Sequence, residues 1–313
     1  MAEMLRPMST GELMDRTFVL YRRNFKLFVG IASLGPASYL VFQLLTIGSA
    51  SLRAGRINPF SAVSLGVGFL AGFLIMVVGA AIAHGATVKA VAAVHLGLPI
   101  RIVEAYRALK GKIWRIIGVV MCVWLFLGLA IIVAGLTLGI AMVILRTLFF
   151  TAAPSGTGQI MGFVFGLLIG LFVIIAATLV WVRYALAIAC CVVEEIGVVK
   201  SIRRSTFLSK GSRFRIFLIY LVFFILAALL GAALGALAGA AGTLIPNVVV
   251  RLILVYLSTF IAGLLTGPLA TIGIALVYYD ERVRKEAFDI QFMMATLDAP
   301  VQLAPVTVPV QTQ

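Results

Sequence analysis

Charge is scarce in this chain and acid scarcer still: 12% of its 313 residues are charged, with 11 Asp and Glu against 25 Lys and Arg. Soluble globular domains carry about 25% charged residues. Together with a 63% hydrophobic content and a mean hydropathy of +1.16, this excludes a water-soluble fold. Histidine is limited to His84 and His95. On a continuous helix these two lie about 16 Å apart along the axis, too far to share a metal, and both are expected near the membrane interface. Cysteine is limited to Cys122, Cys190 and Cys191. All three lie in apolar stretches, where cysteine behaves as a small hydrophobe, and neither a disulfide framework nor a zinc spacing is present. The adjacent Cys190 and Cys191 make a poor redox pair.

The motifs that carry chemistry are missing as well. There is no H-E-x-x-H, no G-x-S-x-G and no G-x-x-x-x-G-K. Glu194 and Glu195 are consecutive, and on a helix consecutive side chains point about 100° apart, so they are not a facing acid and base pair. No catalytic residue, cofactor or metal is legible, and the chain is expected not to be an enzyme. The amino-terminal arm lacks an A-x-A cleavage pattern, which makes the first span the expected insertion signal.

Long apolar runs are what the chain does have. A helix needs about 20 apolar residues to cross the hydrocarbon core, and in lipid only helices or closed barrels satisfy their own backbone. Six stretches qualify: Leu27 to Ile47, Val63 to Ala83, Ile116 to Leu145, Ile160 to Val182, Ile216 to Ala240 and Leu252 to Val277. The expected fold is an all-α polytopic bundle, a single membrane domain over 1–297 followed by a disordered cytoplasmic tail over 298–313. The third stretch exceeds the need and is expected to tilt, or to kink near Gly135 and Gly139. Pro36 and Pro268 are expected to kink spans one and six.

Every basic residue except Arg53, Arg56, Arg146 and Arg251 falls on one side of this alternation. By the positive-inside rule that side is the cytoplasm, so both termini are expected there. The same placement accounts for most of the formal charge of +14 without nucleic acid, because the basic residues flank spans and no RNA or DNA motif accompanies them. Tyr21, Trp114, Trp181, Tyr184, Tyr278 and Tyr279 fall near the same boundary, as interfacial anchors do.

The segments before spans one, three and five can be written over one another: TFVLYRRNFK (17–26), YRALKGKIWR (106–115) and TFLSKGSRFR (206–215). Each ends with an aromatic followed by a cation: Phe25 and Lys26, Trp114 and Arg115, Phe214 and Arg215. In the first, Ser9 and Glu12 form a capping box, and Met14, Phe18, Tyr21 and Phe25 share an apolar face. In the second, Pro99 suits the first turn, Ile102, Val103, Tyr106 and Leu109 make the stripe, and Gly111 breaks the helix. In the third, Val199, Ile202 and Thr206 make a thinner stripe ended by Gly211. The reading is three pseudo-repeats, each an interfacial amphipathic helix plus two spans. Such a cytoplasmic collar is expected either to anchor the spans or to bind anionic lipid headgroups or a partner protein.

Glycines recur at four-residue spacing: Gly68 and Gly72, Gly135 and Gly139, Gly162, Gly166 and Gly170, Gly231, Gly235 and Gly239, Gly263 and Gly267. This spacing predicts close helix packing within the bundle, with homo-oligomerisation as the alternative. Arg183 interrupts a long apolar stretch; it either snorkels to the interface or pairs with Asp280 or a lipid phosphate. Candidate ion-pair or lipid-phosphate contacts are Arg183, Asp280, Lys112, Arg115, Arg213 and Arg215.

Three stretches, RPMSTGELMDRTFVLYRRNFKLF, RYALAIACCVVEEIGVVKSIRRSTFLSKG and YYDERVRKEAFDIQ, resemble bacterial multi-pass proteins similar to the membrane domain of glycerophosphoryl diester phosphodiesterase. In the fused enzymes of that group the chemistry belongs to a separate soluble barrel, for which this chain has no counterpart. The resemblance therefore implies a bacterial cytoplasmic membrane and no phosphodiesterase activity. The expected role is lipid or partner binding through the collar, in envelope or lipid homeostasis. The alternative is a transporter or channel for a small or amphipathic solute, suggested by the repeats and kinked, glycine-rich spans. Against it stands the near absence of ionisable residues at mid-membrane.

Overall fold

The computed structural model describes residues 7–51, 59–95, 97–149 and 155–287. The expected tail over 298–313 lies outside the described residues. All regular structure in the described residues is helical, in eleven segments: α1 (Thr10–Arg23), α2 (Phe25–Ala32), α3 (Leu34–Ser51), α4 (Pro59–His95), α5 (Ile102–Arg107), α6 (Ile113–Phe149), α7 (Ser155–Tyr184), α8 (Ala187–Val193), α9 (Val198–Ser209), α10 (Arg213–Thr243) and α11 (Val248–Glu286). Six stretches of helix are long and apolar enough to span a membrane: Phe25–Thr46, Gly66–His95, Ile113–Ala141, Gly162–Val193, Arg213–Thr243 and Val248–Glu286. The protein is an all-α, polytopic membrane bundle.

The threefold pattern is built into the chain path. Short helices α1, α5 and α9 each precede a span, and each is separated from it by a short break, at Asn24 in the first unit and around Gly111 and Gly211 in the other two. Gly111 and Gly211 turn the chain with φ of +81° and +90°, a conformation glycine adopts without a Cβ clash. Within each unit the two spans are close neighbours: α3 with α4, α6 with α7, α10 with α11. α11 is the centre, touching helices of every unit.

Proline and glycine act differently from position to position. Pro36 cannot donate to the carbonyl of Ala32, and span one breaks there into α2 and α3. Pro268 sits inside an unbroken α11; beside it, Tyr21 donates to the carbonyl of Leu265 (2.8 Å), supplying a donor where the ladder is weakened. α6 runs through Gly135 and Gly139 as one continuous helix. Pro99 precedes α5, which starts at Ile102.

The glycine spacing misjudged where the helices meet. An added Cβ would find no atom within 4 Å at Gly135, Gly139, Gly162, Gly166, Gly170, Gly231, Gly235, Gly239 or Gly267. These stripes are not intramolecular seams. Close approach occurs instead at Gly79, whose Cβ would overlap Ser38, and at Gly273, whose Cβ would lie 2.7 Å from Phe223. Gly72 against Phe42 and Gly263 against Pro36 are the expected positions that do pack tightly.

Candidate functional site

The end of the bundle that carries α1, α5 and α9, here the basic end, holds a buried ion cluster. Asp280, in the last turns of α11, has a fully buried side chain. Its carboxylate accepts from Arg215 Nη1 (2.5 Å), Arg284 Nε (2.8 Å) and the backbone N–H of Met8 (2.6 Å). The same two arginines donate to the Met8 carbonyl, at 2.8 and 2.6 Å. Both polar groups of Met8 are thus used to tie the chain's start to its last span. Glu281, also buried, pairs with Lys285 (3.1 Å) and Arg215 (3.6 Å).

A second cluster lies beside it. Arg204 of α9 holds Glu194 with Nε at 3.0 Å from both carboxylate oxygens and reaches Glu286 at 2.5 Å. Tyr278 donates to Glu194 (2.9 Å), and Lys285 caps the carboxyl end of α9 through the carbonyls of Leu208 and Lys210. Tyr278 and Tyr279 are therefore core residues, not interfacial anchors. Glu195, with φ of +58°, points elsewhere and pairs with Lys112 (2.5 Å), while Arg115 donates to its backbone carbonyl (3.1 Å). Lys112 holds the Glu195 carboxyl below the usual carboxylate range, mainly by hydrogen bonding and then by its charge.

This geometry redistributes the candidate residues. Asp280 takes Arg215 and Arg284 as its partners in place of Arg183. The Arg183 guanidinium lies 5.7 Å from the ring centre of its neighbour Tyr184. Its backbone carbonyl, at the end of α7, accepts from Ser205 (3.1 Å) and Ser209 (3.2 Å). The last carbonyls of a helix have no intrahelical donor, and α9 supplies one through serines. That requirement explains why α9 buries Ser205 and Ser209, while Val199 and Phe207 face outward. Lys112, Arg115 and Arg215 are engaged by protein acceptors. Arg213 is exposed.

α1 carries the expected capping box: Glu12 N–H donates to Ser9 Oγ (3.2 Å) and Ser9 N–H to Glu12 Oε2 (2.7 Å). Its buried residues, however, are Leu13 and Thr17, which place it against α11 while Phe18 and Phe25 remain exposed. In all three units the aromatic just after the break faces outward: Phe25 is 43%, Trp114 83% and Phe214 72% exposed. The cations that follow diverge. Arg215 turns inward to Asp280, Arg115 stays exposed while donating to the Glu195 carbonyl, and Lys26 lines a cavity.

That cavity, about 550 Å³, opens between the start of α2 and α5 and is lined by Lys26, Leu27, Arg101, Ile102, Glu104 and Arg107, among others. α5 is docked there by Tyr106, whose hydroxyl donates to the Ile31 carbonyl (2.5 Å), and by Ile102, which occupies the space above Gly30. Among the described residues no carboxylate pairs with Lys26, Arg101 or Arg107. The three cations outnumber Glu104, the one carboxylate in the lining, so the cavity carries a net positive charge and suits an anion. The sequence marks Lys26 only as the cation after Phe25, and Arg101 and Arg107 only among the basic residues of their loop. The available signal was that Arg101 and Arg107 flank a six-residue helix that must fold back on span one.

Two further cavities lie within the spans. One, about 310 Å³, sits between α4, α6, α8 and α11; the other, about 520 Å³, between α3, α4, α10 and α11. They share Ala80, His84, Gly267 and Thr271. His84 Nδ1 lies 2.8 Å from Thr271 Oγ1, which ties this histidine to α11 beside both cavities. His95 stacks near Tyr279 at the end of α4. Among the described residues no group of three or more His, Cys, Asp or Glu can hold a metal.

Comparison with protein-family models, with curated proteins and with solved structures found no match. The resemblance read from the three stretches therefore carries none of the functional reading that follows.

Proposed function

We propose that this protein is a non-enzymatic multi-pass protein of the cytoplasmic membrane that binds anionic lipid headgroups through its interfacial helices, with the basic end on the cytoplasmic side. The observation that carries this reading is the cavity lined by Lys26, Arg101 and Arg107, which form no ion pair with a carboxylate among the described residues and outnumber Glu104 in the same lining. Exposed Phe25, Val103, Trp114, Phe207 and Phe214 surround the same end. Aromatic and aliphatic side chains of this kind insert at the headgroup level, where nearby Lys and Arg attract anionic lipid. Lys112, Arg115 and Arg215, held by acceptors of the protein, have a structural role in this reading.

The test is lipid retention by the purified full chain. Native mass spectrometry after exchange into mixed phosphatidylglycerol and phosphatidylcholine should show selective retention of the anionic lipid. Replacing Lys26, Arg101 and Arg107 together by Gln should abolish that selectivity, whereas Lys112→Gln should leave it unchanged. Equal retention of both lipids by the unaltered protein would refute the proposal.

A second reading, a carrier for a small or amphipathic solute, is favoured by one observation: the two intramembrane cavities separated by the small residues Ala80 and Gly267. Flux of such a solute into proteoliposomes would establish it.

A further inference from the structure

The paired cavities around His84 carry an inference separate from the headgroup site. No Asp, Glu, Lys or Arg lines either cavity. Trp124, Trp181 and Tyr220 border the smaller one, and Pro36, Tyr39 and Ala227 the larger. A cavity of a few hundred Å³ with apolar walls and few polar groups is the usual form of a small-molecule site. Where the two meet, the polar lining residues are His84 and Thr271.

The histidine has hydrogen-bonding capacity left over. Its Nδ1 is engaged by Thr271, and Nε2 makes no hydrogen bond to any described residue. His84 stands inside the span Gly66–His95, five residues before Lys89, with its ring exposed to the cavities. In a bilayer an unsatisfied polar group costs several kcal/mol, and an ionisable residue within a span marks a functional site by default. Thr271 Oγ1 also lies 3.4 Å from the Gly267 carbonyl, so its proton goes either there or to Nδ1. In the first case Nε2 is a bare acceptor, in the second a donor. A hydroxyl satisfies both.

We propose that these cavities bind an uncharged amphiphile, an acyl chain ending in a hydroxyl-bearing head of the acylglycerol class, with its hydroxyl on His84 Nε2 and its chain along the aromatic wall. Absence of charged lining residues selects against fatty-acid anions and phospholipid headgroups, because neither charge would be compensated there.

The cavity's own tryptophans report occupancy. Full-length protein carrying Trp114→Phe, in phosphatidylcholine nanodiscs, is titrated with a monoacylglycerol brominated on its acyl chain, and tryptophan fluorescence is followed. Quenching is expected to saturate at low mole fraction. Ala80→Phe, which fills the shared wall, should remove the saturable part. His84→Phe should raise the half-saturation point about tenfold, the loss of one hydrogen bond of about 1.4 kcal/mol, and His84→Gln should restore most of it. Thr271→Val offers a second, nearly isosteric change and should also weaken binding. Quenching that rises in proportion to mole fraction and is the same in Ala80→Phe would mean bilayer contact alone and would overturn the proposal. So would equal affinity for a brominated fatty-acid anion, or no effect of His84→Phe. The variant lacking Lys26, Arg101 and Arg107 should keep saturable quenching, so failure of the headgroup site and failure of this one are read separately.

Discussion

Along α4 the surroundings change within two residues: Ile75 is 45% exposed and Val77 2%. The same division runs across the bundle. Toward the basic end, Phe28, Ile31, Ile116, Leu186, Ile216, Ile272 and Leu276 are fully buried around α11; toward the other end, Val67, Leu136, Phe163, Phe224 and Leu237 face the space that lipid fills. Basic-end helices are joined by jigsaw packing and a charge network, while the far halves of α6, α7 and α10 touch few neighbours. In a bilayer lipid tails are as apolar as leucine, so apolar side chains alone give no reason for helices to associate. Association is concentrated where small residues let backbones approach and where polar groups need partners.

The largest effect that would sharpen this contrast is expected at Asp280. Asp280→Ala leaves Arg215, Arg284 and the Met8 N–H without their acceptor inside the basic end and should cost about 3–5 kcal/mol. Thermal unfolding in detergent measures it, and Arg215→Ala combined with Asp280→Ala should cost less than the sum of the two. Simple additivity would mean that the two residues do not act as a pair.

Glycines give the next test. Gly273→Ala places a Cβ 2.7 Å from Phe223 and should destabilise by about 1–3 kcal/mol. Gly166→Ala meets nothing within 4 Å and should leave the melting temperature unchanged. If both substitutions are neutral, the packing difference between the two halves is wrong.

Smaller again is the serine cap. Ser205→Ala and Ser209→Ala each remove a donor to the Arg183 carbonyl and should cost about 0.5–1.5 kcal/mol. Hydrogen exchange at the end of α7 and in α9 should rise in the double variant.

The smallest effect concerns the exposed Lys112–Glu195 pair. The lowered affinity of Glu195 for protons means that its contribution is complete above the ordinary carboxylate range and is lost as pH falls through the depressed value. Glu195→Gln should remove that pH dependence and much of its salt sensitivity, read from melting temperature against pH at two ionic strengths.

Six spans, the one-sided basic loops and the threefold helix-plus-two-spans plan were all legible in the chain, because each follows from local periodicity and run length. The capping box at Ser9 and Glu12 and the breaks at Gly111 and Gly211 are likewise local. Contacts were harder to read. A carboxylate near a span end needs a cation: Arg284, four residues after Asp280 on α11, is a local partner, whereas the choice of Arg215 over Arg183 is made only by the crossing of α10 and α11. Glycine spacing reports that a close approach is possible on a helix face, not that another helix occupies it. α9 shows the limit most clearly: the sequence marks its thin apolar stripe at Val199, Ile202 and Thr206, whereas the inward face is set by Ser205 and Ser209, which the end carbonyl of α7 calls for.

The sequence by itself determined the six apolar spans, since hydrocarbon thickness and backbone hydrogen bonding impose helices on any segment of this composition, but not their ends: α4 continues past Ala83 to His95 and α11 past Val277 to Glu286. Tertiary structure alone decided which polar groups meet: Asp280 with Met8 across the whole chain, His84 with Thr271, and Lys26 with Arg101 and Arg107. Those pairings join residues far apart in sequence, and their partners are fixed only when the helices cross.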